Sequence, residues 1–132
     1  LLPGDVVIRD GERGIALVKR AMELNPGHPG WYYVPLVYDA YRRGEYEEAR
    51  RFAEKMNMPN FARSWSMLAM VYGQLGDRVK AQGAIQRLLE LDPDFPLNAE
   101  EDMRKWGLDP ALIAKCLEGL RKAGLRIETP SN

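Results

Sequence analysis

Residues 61–93 read FARSWSMLAMVYGQLGDRVKAQGAIQRLLELDP. Trp65, Leu68, Ala69 and Tyr72 fall at i, i+3, i+4 and i+7, which is one apolar stripe of a helix. Ala81, Ala84, Ile85 and Leu88 repeat that spacing on a second helix. Between the two stands Gly76-Asp77. Glycine there permits the positive φ that ends one helix, and the aspartate can cap the next. Ala69 and Ala81 are small enough to let the two helices approach closely. The stretch therefore predicts an antiparallel helix pair whose apolar faces need neighbours on both sides.

The same arrangement extends outward with a fixed step. Pro26, Pro59 and Pro93 stand 33 and 34 residues apart, each behind a helix-like apolar pattern. Tyr33, Leu36, Val37 and Ala40 form the first stripe of the preceding unit, with Arg43-Gly44-Glu45 as its turn. Tyr46, Ala49, Ala53 and Met56 form the second stripe. Pro35 is tolerated only in a first helical turn, so this helix should begin near residues 29–31 or kink there. Gly14, Leu17, Val18, Ala21 and Met22 supply half a unit running into Pro26.

Such a step calls for comparison with repeat patterns. Trp65 to Pro93 resembles the tetratricopeptide repeat (TPR), W-x2-L-G-x2-Y, A-x3-F, P, with Ala69 for the small glycine and Ile85 for the phenylalanine. The resemblance implies an all-α TPR solenoid of about two and a half repeats. Its structural core would comprise Trp65, Leu68, Ala69, Tyr72, Gly76, Ala81, Pro93, Gly44 and Ala49. Trp65 would be the central knob, and its truncation should cost about 3–5 kcal/mol. The boundaries expected are a lead at 1–11, a half repeat at 12–27, repeats at 28–60 and 61–95, capping helices at 96–125 and a tail at 126–132. The alternative is a non-repeating helical bundle with coincidental prolines.

The downstream part lacks the repeat signature and reads as a solenoid cap. Asn98-Ala99-Glu100-Glu101 resembles a capping box opening a short helix that stops at Gly107. Asp109-Pro110 is an N-cap and first-turn pair. Leu112, Ile113, Cys116, Leu117 and Leu120 make the last stripe, and Gly124-Leu125 fits a Schellman stop. The missing initial methionine and the half unit predict a piece of a longer protein. The runs 25–32, 42–46 and 119–125 resemble the C-terminal TPR part of bacterial multidomain regulators. In those, TPRs follow a cyclase-like catalytic domain or a helix-turn-helix domain. That resemblance implies a regulatory or dimerising role in signalling. Separately, the half unit lacks its first helix, and the apolar N-terminal face this leaves predicts self-association.

Composition sets outer bounds. The 132 residues carry 19 basic and 19 acidic side chains, nine of each before residue 61. This even balance argues against a nucleic-acid-binding module. No apolar run approaches a membrane span, and the opening patch at Val6, Val7 and Ile8 lacks the features of a signal peptide. A soluble cytoplasmic module without cofactor or metal is expected. The single cysteine excludes a disulfide framework and a cysteine-cluster zinc site. His28 reads as a loop residue and Cys116 as a buried, inert thiol. Glu47-Glu48 and Glu100-Glu101 read as solvated first-turn charge. No phosphate loop, dinucleotide fingerprint or nucleophile–base pair occurs, so the sequence predicts no enzyme.

The expected function is protein–protein interaction. Trp31, Tyr38 and Arg42 lie at i, i+7 and i+11, apart from the core stripe. Arg63, Ser66, Met70 and Gln74 form the matching stripe of the next unit. In TPR proteins these stripes line the concave groove, so the resemblance implies a site there for an extended peptide or a partner helix. Aromatic, methionine and arginine side chains suit such an interface. The alternative is that Trp31 and Tyr38 pack on a neighbouring helix. The TPR carboxylate clamp needs lysine and asparagine where this chain has Val34, Tyr38 and Met67, so that mode is not expected.

Overall fold

The computed structural model describes residues 11–127, and among them it is all helical, with seven α-helices and no strand. They are α1 (Gly11–Leu24), α2 (Tyr33–Arg42), α3 (Tyr46–Lys55), α4 (Ala62–Leu75), α5 (Arg78–Leu91), α6 (Phe95–Lys105) and α7 (Pro110–Lys122). The apolar lead at Val6, Val7 and Ile8 and the tail from residue 128 onward lie outside the described residues.

The pair α4 and α5 forms as the spacing predicts. Gly76 takes φ 74° after α4, and the amides of Gly76 and Asp77 bond back to the Gly73 and Tyr72 carbonyls at 3.2 and 3.1 Å. These two bonds are the Schellman closure, which an L-residue with a Cβ would strain. The Asp77 side chain then accepts the Lys80 amide at 3.2 Å and caps α5. Pro35 sits in the first turn of α2, preceded by a single 3-10 turn at Gly30–Tyr32. Asp109 caps α7 by accepting the Leu112 amide at 2.8 Å. Leu125 N bonds to Leu120 O at 3.0 Å after Gly124, the stop expected there.

One core runs through α2 to α7. Leu36, Val37, Ala40, Ala49, Ala53, Ala69, Tyr72, Ala81, Ala84 and Leu88 are buried in it, as are all five residues of the α7 stripe. Helix α4 is the central element: α3, α5 and α7 all pack on it, and most of its residues are buried. The knob is displaced accordingly. Met67 and Met70 are fully enclosed, whereas Trp65 and Leu68 are only half-buried. The Trp65 indole N–H donates to the Pro59 carbonyl at 2.9 Å. Trp65→Ala should therefore cost about 3 kcal/mol, the low end of the range for truncating an enclosed aromatic, as read from denaturant titration.

Two other expectations shift. Helix α6 starts at Phe95, with Pro96 in its first turn, so Asn98 is an interior residue and not a cap. Glu100 and Glu101 lie beyond the first turn and pair with Arg104 and Lys105 four residues on. In α1 the buried positions are Gly14 and Ile15, while Leu17 is 63% exposed. The other expected positions hold, with Val18, Ala21 and Met22 half-buried, so Ile15 takes the place of Leu17 on the side that meets α2.

Candidate functional site

The stripe expected to line a groove lies on α2 and α4, and helix α7 is seated against those two helices. Tyr38, Arg63, Ser66 and Met70 are all buried. Val34 and Met67, two of the positions a carboxylate clamp would use, are buried with them. Trp31 lies in the 3-10 turn, half-buried against the core with its ring 4.3 Å from that of Tyr32. The alternative reading of Tyr38, packing within the molecule, is the one its burial matches. Of the expected groove residues, Arg42, Met70 and Gln74 line a seat that the chain's own last helix occupies.

The seat is built from charge at its ends and bare backbone at its middle. At the start of α7, the Arg42 guanidinium meets the Asp109 carboxylate at 3.1 Å, both partly exposed. One and a half turns on, the Lys115 ammonium donates to the Arg42 and Tyr41 carbonyls at 3.0 and 3.4 Å. A cation there complements the dipole at the end of α2, where the Tyr41 carbonyl also accepts the Gly44 amide at 3.0 Å. The Tyr41 hydroxyl donates back to the Lys115 carbonyl and accepts the Gln74 amide at 3.0 Å. Burial holds the Tyr41 phenol well above its usual range. Near the end of α7, Lys122 donates to the Gln74 side-chain oxygen at 3.0 Å.

Glycine sets the middle. A Cβ on Gly119 would run into the Tyr41 hydroxyl and stand 2.7 Å from the Met70 carbonyl oxygen. A Cβ on Gly73 would run into the Gly119 carbonyl oxygen and stand 2.8 Å from the Ala123 nitrogen. Helices α4 and α7 therefore touch backbone to backbone at this level. Sequence reasoning placed neither glycine in a site. The signal was present, since a glycine inside a helix costs about 1 kcal/mol against alanine and marks a close approach.

Arg63 closes the seat beside the α6–α7 link. Its guanidinium stacks 4.1 Å from the Trp106 ring centre and 5.4 Å from that of Tyr38, and its Nε donates to the Tyr38 hydroxyl at 3.3 Å. The flat cation is weakly hydrated, which suits it to a buried, ring-lined place.

The remaining chemical candidates are structural in their surroundings. Cys116 is fully buried, and burial pushes its thiol up from 9.0 to about 12. Because the folded value lies above the unfolded one, its stabilising effect is complete below about pH 9 and fades as pH rises toward 12. Ellman's reagent should leave Cys116 unmodified in the native chain and label it fully in denaturant; fast native labelling would contradict the packing. His28 stacks on Tyr32 with ring centres 5.4 Å apart, and its Nδ1 lies 2.9 Å from the Asn25 carbonyl. A cleft of about 160 Å³ beside Trp65 and Met58 contains Glu54. That carboxylate is already engaged by Tyr72 at 2.8 Å, Arg50 at 2.8 Å and Lys80 at 3.5 Å. Among the described residues no cluster of acidic, histidine or cysteine side chains is arranged to hold a metal ion.

No protein-family model matches this chain, and no curated protein matches it as a relative. No helix among the described residues is long and apolar enough to cross a membrane.

Proposed function

We propose that this chain is a cytoplasmic protein–protein interaction module of the TPR type, whose α2–α4 face recognises an amphipathic helix. The observation that carries the reading is α7 itself. It is an amphipathic helix held across α2 and α4 by an ion pair, carbonyl capping and a backbone contact. This intrachain packing has the form of a helix seated in a groove, which supports the reading. The 33- and 34-residue proline step and the Trp65–Pro93 pattern support the repeat assignment. A partner helix takes the place of α7, so recognition is exchange and not simple filling of a groove.

The test is a labelled synthetic peptide covering residues 108–125, equilibrated with the full chain and followed by fluorescence anisotropy. Binding that falls when Arg42 and Gln74 are both replaced by alanine supports the reading. An anisotropy that stays at the free-peptide value overturns it.

A second reading, as the dimerising domain of a larger signalling protein, is favoured by α1. Leu17 and Leu24 lie seven residues apart on that helix and are 63% and 71% exposed. Light scattering should show a self-association that Leu17→Glu with Leu24→Glu abolishes; a wild-type monomer at high concentration would remove this reading.

A further inference from the structure

We infer that the occupant best fitted to the α2–α4 seat is the α7 helix of a second copy, the two chains exchanging their last helices to form a dimer. This rests on the helix-recognition reading above and names its partner.

The seat is demanding. The helix it holds carries Asp109 opposite Arg42, Lys115 under the end of α2, glycine at 119 and Lys122 at Gln74. A side chain at the 119 level would meet the Met70 backbone, so an ordinary amphipathic helix is rejected. Helix α7 of another copy carries the same residues at the same spacing. Exchange therefore rebuilds every contact α7 makes, and the balance depends only on the link and on the entropy of association.

The link is four residues, Trp106 to Asp109. In the closed chain it turns at Gly107, whose φ is 87°, and the Leu108 amide bonds back to the Met103 carbonyl at 3.1 Å. When α7 leaves, Pro110 prevents α6 from running on into α7 as one helix, because proline clashes with the carbonyl four residues before it. The open link is then extended and reaches about 13 Å. Phe95, Ala99 and Met103 are buried in the common core, and Arg63 of α4 stacks on Trp106 at the end of α6, so α6 is tied to its own chain as well as to α7. The closed turn and the extended link are thus two settings of one short segment, with a hinge at Gly107.

The experiment mixes a tagged and an untagged copy of the full chain at high micromolar concentration, equilibrates them with warming, and measures co-capture and mass by light scattering. The 108–125 peptide is the competitor, and the same peptide with Gly119→Leu is the control. The expected result is a mixed dimer that the peptide dissolves and the control leaves intact. Gly107→Ala penalises the positive φ of the closed turn and should raise the dimer several-fold over wild type. A dimer that the peptide leaves intact overturns the exchange; its loss in Leu17→Glu with Leu24→Glu would then assign it to α1. A chain that stays monomeric yet binds the peptide overturns the exchange and keeps the helix-recognition reading. A monomer that binds no peptide overturns both.

Discussion

Gly73→Ala should destabilise the chain by about 3 kcal/mol, while Gly83→Ala should stabilise it by about 0.5–1 kcal/mol. The two substitutions are chemically identical and both lie inside helices. On propensity alone each gains, because alanine loses less backbone entropy than glycine. At Gly83 nothing lies within 4 Å of the new methyl, so the gain survives. At Gly73 the methyl meets the Gly119 carbonyl, the Ala123 nitrogen at 2.8 Å and the Ala123 Cβ at 3.2 Å. Two of those atoms are backbone and cannot swing away, so α7 must lift from α4. Urea midpoints of the two variants, compared with wild type, check the opposite signs. A Gly73→Ala chain as stable as wild type would mean that α4 and α7 do not touch as described.

Leu120→Ala should cost about 2–5 kcal/mol. Leu120 is fully buried at the end of the α7 stripe. Its truncation removes apolar contacts and leaves a cavity that the neighbouring backbone contact at Gly119 prevents from collapsing. Leu17→Ala, a leucine-to-alanine change at a 63% exposed site, should stay within about 0.5 kcal/mol of wild type. If the two losses are alike, α7 is not part of the cooperative core.

Much of the architecture was legible because it is local. The pair α4–α5 follows from a 3.6-residue period closed by Gly76 and opened by Asp77, and both act within one turn. The stripe, cap and stop of α7 were legible for the same reason. What could not be read was which face α7 would cover. Helix α4 has a second buried face made of Arg63, Ser66, Met70 and Gly73, a mixture whose polar members disguise its burial. Those residues looked like the lining of an open groove because arginine, serine and methionine also suit a wet interface. The start of α6 was misplaced because the capping-box spacing at Asn98 competed with the proline signal at Pro96. In α1 the choice of Ile15 over Leu17 at the edge of the stripe depends on the surface that α2 offers, and the apolar spacing alone does not reveal it.

The reach of α7 back to α4 also has a consequence in time. Lys122 and Gln74, which meet across the seat, are 48 residues apart in sequence. At a synthesis rate of about 5–20 residues per second, Gln74 is made roughly 2–10 s before its partner. The helix pairs up to α5 are closed by short turns and can fold within that interval. For those seconds a nascent chain presents an unfilled seat.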